Sequence, residues 1–151
     1  MLRQQISEAL KIAMKEKNNR STSTLRLILA AVKDRDISAR AKGNHDGVND
    51  TELLSILQSM IKQRRESIDF YEKGRRLELA EQESEEILVI ERFLPIPLSE
   101  EEVQNAVYKM IDETGAKSIK EMGKVMSALK QKYAGRMDFS KASSKVKEYL
   151  E

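Results

Sequence analysis

The stretch ERFLPIPLSEEEVQNAVYKMIDETG, residues 91–115, decides how this chain is organised. Pro95 and Pro97 cannot donate a helical hydrogen bond, and each pushes its predecessor toward extended backbone, so LPIPL reads as a short stiff linker. Ser99 followed by Glu102 is a capping box that opens a helix. Val103, Ala106, Val107, Met110 and Ile111 recur at helical spacing, and Thr114-Gly115 stops the run through a left-handed residue. One helix ends before the prolines and another starts after them. The expected fold is all-α, with an N-terminal helical domain over 1–94, a Pro-containing linker over 95–98 and a small tail domain over 99–151.

Upstream of the prolines the apolar spacing predicts about four helices. Leu2, Ile6, Ala9, Leu10, Ala13 and Met14 form the first stripe, ended by Asn18 and Asn19. Leu25, Ile28, Leu29 and Val32 form the second, with Ser21 or Ser23 as its cap. AKGNHDGVND (41–50) has no apolar period and reads as a mobile loop, after which Asn49 and Glu52 suit a capping-box variant. Leu53, Leu57, Met60, Ile61, Ile68 and Tyr71 then mark a helix of roughly 23 residues, about 35 Å long, which fades at Gly74. A fourth helix is expected from about Arg76 to Phe93, with Leu77, Ala80, Ile87 and Leu88 and an acidic outer face. Downstream, Ser118 and Glu121 suggest a second capping box before Met122, Val125, Met126 and Leu129; Gly135 closes that helix and a last one starts near Ser140. The tail is therefore three short helices.

Composition narrows the functional classes. Of 151 residues 34% are charged and 5% aromatic, and the absence of cysteine excludes disulfides, thiolate metal sites and cysteine nucleophiles. No apolar run approaches the roughly 20 residues of a membrane span. MLRQQISEALKIAMKEK at the start is amphipathic, without the apolar core of a signal peptide, and implies a cytoplasmic protein with no membrane partner. The net charge of +2 is strongly segregated: residues 1–76 carry 16 basic against 10 acidic groups, 77–115 carry 2 against 11, and 116–151 carry 9 against 4. Such asymmetry speaks of partners.

No catalytic constellation is legible. The only histidine, His45, lies in the polar loop, and a calcium loop counted from Asp46 would place Thr51 where glycine and Leu57 where glutamate are needed. No Gly-rich phosphate loop is present. The glutamates of 81–86 read as a solvated helix face. Catalytic residues, metal sites and cofactors are all expected to be none. What remains is a basic tail: Lys120, Lys124, Lys130, Lys132, Arg136, Lys141 and Lys145 surround two helices and the turn KYAGR, where cations and helix N-termini can neutralise phosphates. Aromatic interleaving is thin, with Tyr133 and Phe139 only, so contacts to phosphate and shape are expected over single-strand stacking. Arg64, Arg65, Arg75 and Arg76 form a secondary basic patch.

STLRLILAAVKDRDI (23–37), IKQRRESIDFYEKGRRLELAEQESEEILVIERFLPIPLSEEEV (61–103) and MGKVMSALKQKYAGRMDFSKASSKVKEYL (122–150) together resemble the GatB/YqeY family, in its YqeY-like branch. The resemblance implies a helical domain and a three-helix tail akin to those of the GatB component of the glutamine-dependent aspartyl/glutamyl-tRNA amidotransferase. In that enzyme the tail meets the outer region of tRNA, and a separate catalytic cradle does the chemistry. The cradle has no counterpart here, so the family's carbon–nitrogen ligase activity is implied for the relatives only. Gly123, Lys124 and Val125 fall on the tail's G-K-V-M signature, and Gly135-Arg136 on its G-[RK] turn. Gly123 is expected to permit close helix approach and Val125 to be core. Met137-Asp138 and FSKASSKVK depart from the usual Ala-Asp and Leu-Val continuation.

The implied function is an accessory protein that binds tRNA or another RNA through its basic tail. A protein adaptor docking a basic partner on the acidic 77–115 segment, through Glu81, Glu85 and Glu86, is the alternative. A true amidotransferase role, either intrinsic or by joining an amidotransferase-like complex, is the third.

Overall fold

The structure, a computed structural model, describes residues 1–151. It contains helices only, so the fold is all-α, and the chain divides into two compact units, Met1–Leu94 and Pro95–Glu151.

The first unit comprises α1 (Leu2–Lys15), α2 (Asn19–Ala41), α3 (Asp50–Lys73) and α4 (Leu77–Glu91). α3 and α4 form a hairpin, α1 packs on α2, and α2 also packs on α4. Their shared core holds Ile6, Leu25, Ile28, Val32, Leu53, Leu57 and Ile90, all essentially sealed from solvent. Burial of each such Leu or Ile contributes roughly 1.5–3 kcal/mol relative to exposure.

Several local features differ from expectation. α2 is capped by Asn18, whose side chain accepts from the Ser21 amide at 3.1 Å, and the helix runs straight through Ser21 and Ser23. The hydroxyls of Thr22, Ser23 and Thr24 bond back to carbonyls of the preceding turn, which satisfies them inside the helix. The 41–50 loop is anchored at its far end. Val48 is buried and its amide donates to Asp36 Oδ1 at 2.8 Å, while Arg3 grips both oxygens of Asp36 at 2.6 and 2.9 Å. Gly47 takes φ +84 beside this clasp, where an added Cβ would lie 3.0 Å from Asp36 Oδ1. α3 ends at Gly74 as its spacing predicts; Gly74 keeps φ −85 and the left-handed residue of the turn is Arg75, at φ 58.

The second unit comprises α5 (Glu100–Thr114), a single 3₁₀ turn (Ile119–Glu121), α6 (Met122–Lys132) and α7 (Phe139–Leu150). The three α-helices pack on one another around Val107, Val125, Leu129, Ala142 and Val146. The Ser99–Glu102 capping box is complete, with both reciprocal bonds at 3.1 Å, and Gly115 closes α5 at φ 70. The second capping box does not form. The Glu121 carboxylate instead accepts from the Lys117 amide, which holds its pKa below the ordinary value, and the segment winds as a 3₁₀ turn with α6 starting at Met122. α7 is capped by Asp138, which accepts from the amides of Ser140 and Lys141. Val125 is core, but Gly123 is exposed and a Cβ there would meet nothing. Close helix approach is therefore not its role within this chain.

Candidate nucleic-acid interface

The basic residues separate into two kinds by what they touch. In the first unit five of the ten arginines pair with the protein's own carboxylates, and Arg26, Arg35, Arg40, Arg75 and Arg92 form no ion pair. Arg64 Nε lies 3.0 Å from Glu86 Oε2, and both side chains are nearly enclosed, at 12% and 11% exposure. Arg20 adds a 3.0 Å bond to Glu85 and a 3.9 Å approach to Glu86. Arg65 faces Glu91 at 3.6 Å, and Arg76 bonds Glu78 at 2.9 Å, holding that carboxyl below the ordinary range. Of the secondary patch, Arg75 alone is exposed without an ion-pair partner.

The same pairs correct the reading of 81–86 as a uniformly solvated face. Glu86 points inward between α2, α3 and α4, where two guanidiniums face it. Glu83 is half-buried beside it; desolvation first, then the Glu86 charge, pushes its pKa up. Glu81 and Glu85 remain exposed.

In the tail Lys109 pairs with Glu113 at 4.0 Å, and the lysines of the predicted patch form no ion pair. Lys120, Lys124, Lys130, Lys132 and Lys141 are exposed and Lys145 is half-buried. Lys124, Lys130 and Lys132 ride on α6, which buries Val125 and Leu129 in the core of this unit. Lys141 and Lys145 stand one turn apart on α7. Lys132 Nζ is 5.8 Å from the Tyr133 ring centre, within cation–π reach. Arg136 is different. Its Nε donates to the Ile96 carbonyl at 3.0 Å, and its own carbonyl accepts from the Leu98 amide at 2.8 Å. The turn of the G-[RK] signature thus clasps the proline-containing stretch.

Sequence reasoning missed an aromatic pair. Tyr108 on α5 and Tyr149 on α7 meet with ring centres 5.0 Å apart and planes tilted by 50°. They are 43% and 57% exposed, and Gln104 Nε2 donates to the Tyr108 hydroxyl at 2.8 Å. Only α5–α7 packing joins them, since they lie 41 residues apart. The one available signal was Tyr149 at eight residues from Lys141 and four from Lys145, on one helix face. Elsewhere, no three His, Asp or Glu side chains come together as metal ligands, and no helix is long and apolar enough to cross a membrane.

The sequence is similar to proteins named "Altered inheritance of mitochondria protein 41, mitochondrial". For that of Clavispora lusitaniae the identity is 34% over 110 residues, covering 71% of this chain and 61% of the relative. For that of Kluyveromyces lactis it is 31%, covering 72% and 57%. For that of Pyrenophora tritici-repentis it is 30% over 147 residues, covering 93% and 76%. The chain thus spans about three-fifths of the length of the first two relatives, by the 61% and 57% coverage. These names correct the expectation of a cytoplasmic protein: they point to a mitochondrial setting, which a reading of residues 1–17 for a secretory signal could not address. The pattern of the Yqey-like protein family matches residues 3–150, through both helical units, and the chain belongs to that family.

Proposed function

We propose that this YqeY-family protein is an RNA-binding accessory protein whose tail unit contacts the phosphates of a structured RNA, tRNA in the first instance. One observation carries the reading: six tail lysines, 120, 124, 130, 132, 141 and 145, form no ion pair with a carboxylate, in a unit where basic groups outnumber acidic ones by 9 to 4 over residues 116–151. An unpaired lysine retains its full charge for a phosphate, and release of the counterions held there is what drives binding. The resemblance of Gly123-Lys124-Val125 and Gly135-Arg136 to the tail signature of a tRNA-dependent amidotransferase supports the choice of RNA. Arg136 serves as a positioning residue, because its guanidinium and carbonyl already hold residues 96–98.

The adaptor alternative is weakened by the ion pairs of the first unit. Of its three named glutamates, Glu85 and Glu86 are already paired with arginines of the protein itself.

Filter binding of unfractionated tRNA tests the proposal, comparing the protein with a Lys124→Glu/Lys130→Glu/Lys141→Glu variant. These three side chains are exposed, so the fold is retained. The expected result is binding by the parent and a loss of at least about a hundredfold in the variant, as three cations near phosphate become anions. Failure of the parent to bind tRNA at low salt would sink the idea.

A further inference from the structure

We infer that Tyr108 and Tyr149 form a stacking site for an unpaired nucleobase of the RNA, continuous with the lysines of α7. The inference rests on the RNA-binding reading and adds a site to it.

The tilted pair is a ridge between two shallow clefts, and both tyrosines line both. One cleft, of about 340 Å³, is completed by Gln104, Val107, Lys145 and Glu148. The other, of about 250 Å³, is completed by Ile111, Asp112, Ala116 and Lys117. Each therefore combines aromatic surface, one lysine and one carboxylate. That combination matches a nucleotide: a planar base for the ring, a phosphate for the ammonium, and base N–H groups for the carboxylate. An apolar peptide face would leave both charges of each cleft desolvated and unanswered.

Gln104, one turn before Tyr108, donates to its hydroxyl. Lys141, Lys145 and Tyr149 recur every fourth residue along α7. A backbone tracked by the two lysines would deliver its next base to the tyrosines.

The chain has four tyrosines and no tryptophan, so its intrinsic fluorescence is tyrosine emission and reports stacking directly. The experiment titrates the full chain with a blunt RNA hairpin and with the same hairpin carrying a single-stranded adenosine overhang. The overhang should bind about tenfold more tightly and quench the emission. Tyr108→Ala and Tyr149→Ala should each reduce the overhang's affinity to that of the blunt hairpin, with helicity by circular dichroism unchanged. Tyr108→Phe and Tyr149→Phe should keep the preference. Equal binding of the two hairpins by the parent would overturn the stacking site while leaving phosphate binding intact, as would an overhang preference that survives both alanines together. A proline-rich peptide captured by the tyrosines with no overhang preference would reassign the site to a protein ligand. Failure of both hairpins to bind at low salt would remove the underlying reading as well.

Discussion

Arg64 and Glu86 join α3 to α4 through a nearly enclosed ion pair, Nε to Oε2 at 3.0 Å, with Arg64 Nη1 also donating to the Met60 carbonyl at 3.1 Å. Losing one partner would strand the other charge in a poorly solvated site. Glu86→Ala is expected to destabilise by about 3 kcal/mol, measured by urea unfolding. The double change Arg64→Met/Glu86→Leu should cost much less, since neither charge then remains.

The Arg3–Asp36 clasp makes stability depend on acid. The Arg3 hydrogen bonds first, then the Val48 amide, lower the Asp36 pKa from 3.8 to about 2. The folded state thus holds this proton less tightly than the unfolded chain. Its stabilisation is complete above the ordinary value of 3.8 and is lost as the pH falls through about 2. Arg3 is 41% exposed, so solvent screening reduces the contribution to about 1 kcal/mol. Urea midpoints of the parent and Asp36→Asn should differ at neutral pH and converge toward pH 2.

The ends of α5 carry separable contributions. Ser99→Ala removes the cap and should cost about 1 kcal/mol. Gly115→Ala meets no neighbouring atom, so its cost is backbone strain alone at φ 70, about 1 kcal/mol. Thermal melts of the two single variants and their combination should add, because the sites are at opposite ends of the helix.

Arg136 should behave unlike the tail lysines. Arg136→Ala deletes the bond to Ile96 and is expected to cost about 1 kcal/mol of stability. Its effect on tRNA affinity should be smaller than that of Lys124→Glu. Parallel melts and filter binding would show the split, and an Arg136 variant that loses affinity without losing stability would make it a phosphate contact instead.

How much of this was legible in the sequence depends on the range of the interaction. The prolines, the Ser99 box, Gly115 and the apolar stripes are local signals, and each produced the element it implied. Where local signals competed, the reading slipped. Ser118-Glu121 has capping spacing, yet Glu121 reaches the Lys117 amide and the box is lost. Gly74 does end its helix, as expected, but nothing in the spacing showed that the left-handed residue of the turn would be Arg75. Side-chain partnerships were harder still. The lysines of the tail were visible as a patch, but which basic residues pair with a carboxylate was not, since Arg64–Glu86 spans 22 residues. Tyr108 and Tyr149 each looked like one more residue on its own helix.

The salt dependence of tRNA binding tests the central claim most directly. About four to six lysine–phosphate contacts predict that log Kobs falls against log salt with a slope of about −3 to −5. Each lysine-to-glutamine change at 124, 130 or 141 should make that slope shallower by just under about one unit. A slope near zero, or one untouched by those substitutions, would contradict the account.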